Sequence, residues 1–158
     1  MFDKIIDGLA KAIMGVSSLL VFVITFLQVI CRFVLKSPLP WSTDILRLAF
    51  TYLVFWGAAW CVREKEHLNV DVVLTAMPAG MRRTVEILIN VVLCGFFIFL
   101  IYFGIQFCFF GWTQTTSYLP LPMSVYYASI PSAGAAMLYY MVKILIKQLR
   151  GSDEEGRV

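Results

Sequence analysis

Charge is what this sequence has least of. Only 15% of its 158 residues are Asp, Glu, Lys or Arg, and 60% are hydrophobic; an ordinary soluble domain is about 25% charged. That scarcity excludes a water-facing surface over most of the chain and points to lipid as the solvent. Histidine occurs once, at His67. A single histidine excludes a haem held by two histidines of this chain. It also excludes a di-iron bundle, which needs two Glu-x-x-His motifs and further glutamates, where this chain has only Glu64 and His67. The cysteines, Cys31, Cys61, Cys94 and Cys108, form no C-x-x-C pair. All sit in or at the ends of apolar runs and read as small apolar fillers. No basic stripe is interleaved with exposed aromatics, so the net charge of +3 says nothing for nucleic acid.

The remaining charges are bunched, and the gaps between them mark the architecture. None falls between Lys11 and Arg32, between Arg47 and Arg63, or between Glu86 and Lys143. A spanning helix needs about 20 apolar residues. The first gap supplies one span, read as a retained helix because "QVICRFVLK" offers no small-x-small cleavage site. The second suffices if the helix includes Asp44 and Arg47 at its membrane edge. The third is too long for one helix, and "WTQTTSYLPLP" breaks it with hydroxyl residues and prolines. The fold class is therefore an all-α integral membrane protein in a single membrane domain. Its expected spans are residues 13–32, 42–63, 84–112 and 122–146.

Flanking elements follow from spacing. In residues 1–12, Phe2, Ile5, Ile6 and Leu9 recur at helical intervals, with Asp3, Lys4, Asp7 and Lys11 elsewhere, which predicts an amphipathic lead-in on the membrane surface. Val70, Val73, Leu74 and Met77 predict a short interfacial helix over 69–77, capped by Asn69 and ended by Pro78. Lys143, Lys147 and Arg150 share one face near the end of the last helix, and residues 151–158 read as a solvated tail. Lys and Arg concentrate with the termini and the 63–83 connection, leaving Arg32, Lys36 and Arg47 opposite. By the positive-inside rule both termini are cytoplasmic.

The polar positions read mostly as anchors. Ser42 is a candidate N-cap, Trp41 and Leu46 a candidate hydrophobic staple, and Asp44 suits the first helical turn and can pair with Arg47. Trp41 also suits the interfacial aromatic belt. A charge pair at a membrane edge can equally dock another subunit. Arg63 and Glu64 solvate a helix end, and His67 sits at the elbow before the interfacial helix. Pro131 is a candidate kink in the fourth span. Ser129, Ala133, Gly134 and Ala135, with Gly95 and Gly104 on the third, offer small-residue packing faces. The span middles hold Thr25, Gln28, Thr51 and Gln106 but no acid or base. A chain that carried protons or ions by itself would place one there. The residues thus describe a protein that holds something in a membrane, with no catalytic, cofactor or metal site.

Arg32, then Trp41, Ser42 and Asp44, then Arg47, then "FWGAAWCVREKEHLNVDVV", then Pro78 and Arg82 resemble the small membrane subunit of tripartite ATP-independent periplasmic (TRAP) transporters, the DctQ-like family. The likeness runs over about residues 28 to 83. Family members often carry two glutamates where this chain has Thr43 and Asp44. The resemblance implies a multi-pass protein of the bacterial inner membrane, forming a heterodimer with a large elevator-type subunit that carries organic acids with an ion, expected to be sodium. A periplasmic binding protein would dock transiently, and membrane lipids would surround the pair. It further implies that Arg32, Trp41, Asp44 and Arg47 lie at the periplasmic edge. Arg63, His67 and Asp71 would organise the cytoplasmic elbow. The rival readings are a stand-alone four-helix transporter of the small multidrug type, a quinone or haem oxidoreductase subunit, and a general assembly factor. The first would need a membrane-embedded carboxylate in the first span, which is absent.

Overall fold

A computed structural model describes residues 2–37, 39–64 and 79–155. Four helices dominate it: α1 (Phe2–Phe33), α2 (Pro40–Arg63), α3 (Ala79–Phe110) and, after a 3-10 turn at Gly111–Thr113 and the short α4 (Ser124–Tyr127), α5 (Ser129–Glu155). No strand occurs among the described residues. Among the described residues, four segments are long and apolar enough to cross a membrane: Lys4–Phe33, Pro40–Arg63, Ile87–Thr113 and Ser124–Ile146. The chain is thus the all-helical, multi-pass membrane protein that its composition foretold. The expected interfacial helix at 69–77, with His67 and Asp71, lies outside the described residues.

Two boundaries move, each for a local reason. The lead-in is no separate element, because α1 runs unbroken from Phe2, and its 32 residues reach about 48 Å. At the far end α5 continues to Glu155, past the start of the expected tail. The fourth span, Ser124–Ile146, is interrupted at Ala128 between α4 and α5, and Pro131 falls in the first turn of α5, where a missing N–H costs no helical bond.

The helices form a row. α1 packs on α2, α2 on α5, and α5 on α3. Of the four spans, that ending at Ile146 is the most buried (39%) and that of α1 the least (11%), as expected for a middle and an end member. On α1 the buried residues are Ala10, Ser17, Ile24 and Cys31, one every seventh position. That period keeps a seam facing one neighbour along a left-handed crossing. The α3–α5 contact depends on small residues. A Cβ on Gly104 would lie 3.0 Å from Pro131 Cδ, and one on Gly134 3.0 Å from Ile101 Cγ1. Between membrane helices, where lipid is as apolar as leucine, close approach of this kind supplies the packing energy. Ala133 and Ser129 are fully buried in the same region, whereas Ala135 and Gly95 face outward.

Candidate functional site: two polar clamps on one helix

α2 starts at Pro40, whose fixed φ and absent N–H suit the first helical position. The N-cap is Leu39, without a side-chain cap bond. The expected cap at Ser42 is therefore corrected. Ser42 stands inside the first turn, fully buried, and its Oγ donates back to the Leu39 carbonyl at 2.6 Å. The Trp41–Leu46 staple required a helix beginning after Ser42, so it is lost with that cap. Trp41 is instead a half-exposed residue of the first turn.

Asp44 falls just past that turn, and its carboxylate serves another segment altogether. Oδ2 accepts the backbone N–H of Tyr118 at 3.0 Å and of Leu119 at 3.3 Å. Those residues tip a tight loop closed by bonds from Thr116 N to the Leu121 carbonyl and from Met123 N to the Gln114 carbonyl. Tyr126 donates its hydroxyl to the Asp44 carbonyl at 3.0 Å, and Tyr52 donates to the Val125 carbonyl at 3.0 Å. Asp44 thus anchors the loop through its carboxylate and the start of the last span through its backbone carbonyl, and Tyr52 adds a second bond to that span. The expected Asp44–Arg47 ion pair does not form. Arg47 is exposed, and so is Arg32, which lies over the Phe33 ring. The structure joins neither of them to Asp44.

The second clamp closes the other end of α2. Arg63 Nε meets Asp7 Oδ1 at 2.7 Å, and Arg63 Nη2 donates to Asp7 Oδ2 at 2.7 Å. This is the two-pronged guanidinium–carboxylate geometry, the strongest form of such a pair. Tyr140 of α5 donates its hydroxyl to Asp7 Oδ1 at 2.7 Å. Arg63 also bonds Glu64, and its guanidinium lies 4.3 Å from the centre of the Trp60 ring, with Lys11 Nζ 5.1 Å from the same ring. α1, α2 and α5 are thereby tied at one point. Along α2 the two clamps are about 28 Å apart at 1.5 Å per residue, close to the roughly 30 Å hydrocarbon thickness of a bilayer.

Sequence reasoning singled out Asp44 and Arg63 but not their partners. Asp7 was one polar residue of an amphipathic pattern, and Tyr140 one of many aromatics. Asn90, fully buried on α3, was missed as well. Its signal was legible: an amide inside "EILINVVLCGFFIFL" has no reason to face lipid. Among the described residues no group of three or more His, Cys, Asp or Glu side chains converges to hold a metal.

Comparison with known proteins gives this geometry its context. A sequence model of the DctQ component of tripartite ATP-independent periplasmic transporters matches residues 21–151. A TRAP transporter small permease protein of Haemophilus influenzae is 24% identical over 157 residues, 98% of this chain and 95% of that protein. An ectoine TRAP transporter small permease protein of Halomonas elongata is 27% identical over 105 residues, 66% of this chain and 54% of that one. A sialic acid TRAP transporter permease protein, also of Haemophilus influenzae, is 29% identical over 103 residues. The match covers 65% of this chain but 17% of that far longer polypeptide.

Proposed function

The chain belongs to the DctQ component family of tripartite ATP-independent periplasmic transporters, and we propose that it serves there as the fixed membrane partner of a larger, substrate-carrying subunit. One observation carries the reading: polar clamps at both ends of α2 tie the helices together, while nothing between them is charged. Residues 12–31, 48–62 and 87–142 contain no Asp, Glu, Lys, Arg or His. A carrier needs a polar site that changes exposure, typically near the midplane. A stator needs the opposite, a slab that resists bending and presents apolar faces.

The sialic acid permease supports a one-to-one partnership, because there the homologous stretch is part of a single longer chain. On this reading both termini and the Asp7–Arg63 clamp face the cytoplasm, following the distribution of Lys and Arg. The Asp44 clamp, with Arg32, Trp41 and Arg47, faces the periplasm of a bacterial inner membrane and adds to the surface on which a binding protein docks. Relatives are named for sialic acid, ectoine and C4-dicarboxylates. The cargo of this complex is accordingly a small organic acid, driven by an ion gradient, with sodium the coupling ion. Selection of that cargo rests with the larger subunit and the binding protein.

The test is a tagged-chain pull-down from native membranes in mild detergent, read by mass spectrometry. Recovery of a large, many-spanning protein at one-to-one stoichiometry is the expected result. A chain recovered alone, folded and monodisperse, would overturn the reading and restore a stand-alone transporter or redox subunit.

A further inference from the structure

α1 carries a second seam that its own chain leaves uncovered. The row facing α2 is Ala10, Ser17, Ile24 and Cys31. One residue further on, about 100° around the helix, runs a row of Lys4, Lys11, Ser18, Thr25 and Arg32, all exposed, with Lys11 reaching back over the Trp60 ring of α2. About 160° from the α2-facing row lie Gly8, Gly15, Phe22 and Val29, likewise exposed. The two rows alternate at spacings of three and four, which is the a/d pattern by which a helix seats a second helix.

The chemistry of this seam is wrong for lipid. A Cβ added at Gly8 or Gly15 would meet no atom within 4 Å, so neither glycine serves packing inside the chain. Ser18 and Thr25 place hydroxyls on the outer face, beside Phe22, Phe26 and Val29. On the exposed surface of α3, Phe96, Phe99, Phe103 and Phe110 form one row of large aromatics, with Gly95 and Gln106 exposed beside it. Small residues and hydroxyls let helix backbones approach and hydrogen-bond across the contact. Against acyl chains they gain nothing. The charged positions of the seam are all cationic, and Lys4, Lys11 and Arg32 form no ion pair with a described residue.

We propose that this face of α1 seats a transmembrane helix of the larger permease subunit. That helix would have small or hydroxyl residues in its middle and carboxylates near both membrane surfaces, complementary to Lys4 and Arg32. The inference rests on the reading of the chain as a small permease subunit and adds which face makes the contact. The sialic acid permease, whose matching stretch shares one polypeptide with far more protein, supports that occupant over a second copy of this chain.

A photo-crosslinking residue (p-benzoylphenylalanine) placed at Ser18 or Thr25, and separately at Phe103, tests it in membranes holding the whole complex. Adducts to the large subunit from Ser18 and Thr25, with none from Phe103, are expected. Adducts between two copies of this chain overturn the proposal. So do large-subunit adducts only from Phe103, or a seam that labels no protein while the large subunit still co-purifies; the proposed function survives all three. Failure of any large subunit to co-purify sinks both. Gly15→Leu and Gly95→Leu form a matched pair, since both glycines face open space. Gly15→Leu should lower recovery of the large subunit about tenfold, equivalent to 1.4 kcal/mol, and Gly95→Leu should leave it unchanged. Equal recovery with both variants counts against the seam.

Discussion

Asp7 and Arg63 stand 56 positions apart in the chain and meet through two contacts of 2.7 Å, one to each carboxylate oxygen. Tyr140 of α5 completes the junction from 133 positions away. The pair is partly shielded, with side-chain exposures of 32% for Arg63 and 17% for Asp7. Two parallel bonds to one carboxylate hold direction as well as distance, which a lysine at position 63 would not do. Asp7→Asn should destabilise the protein by about 1–3 kcal/mol, read as a lower melting temperature in detergent. Arg63→Lys should act in the same direction. A double-mutant cycle should show coupling above about 0.5 kcal/mol; simple additivity would mean that the two residues act separately.

At the opposite end, Asp44 holds two amides of a loop that lies 74 and 75 positions downstream. Asp44→Ala should speed hydrogen exchange at the Tyr118 and Leu119 amides and cost about 1.5–3 kcal/mol, the range for bonds to a charged group. Arg47→Ala, which touches neither amide, should leave both rates near wild type. Equal effects of the two variants would argue for long-range electrostatics instead of direct bonding.

Gly111 permits the turn that leads out of α3. A Cβ there would fall 2.7 Å from Tyr127 Cδ2 and 2.9 Å from the Ser124 backbone nitrogen. The backbone atom cannot swing aside as a side chain could. Gly111→Ala should therefore destabilise by about 1–3 kcal/mol, whereas Gly95→Ala should stay within about 0.5 kcal/mol. Thermal unfolding of the two variants side by side checks the difference.

The elbow reading assigns His67 and Asp71 to assembly rather than to cargo. His67→Ala and Asp71→Ala should reduce complex recovery or transport rate while leaving the order of substrate preference intact. Uptake competition assays measure that order. A changed preference at normal complex levels would move these residues into the substrate path.

Much of the site lay beyond sequence reasoning because its bonds join distant segments. Asp44 and Arg63 were visible as charges at the edges of an apolar run, since a charge there must find water or a partner. Which partner it finds depends on how the helices stack. A carboxylate near an arginine three residues on looked paired, yet the loop amides took it. Likewise Ser42 preceded by Trp41 resembled a cap, until Pro40 began the helix two residues earlier.

By itself the sequence determined that the chain is helical and that four of its segments are long and apolar enough to cross a membrane. Those features follow from charge spacing, apolar run length and proline, all of which act locally. Only the tertiary structure decided the order of the row, the two clamps, and which side of α1 is left bare. Helix adjacency in lipid is settled by close packing and hydrogen bonds between surfaces far apart in the chain, and no local pattern of residues encodes which surfaces will meet.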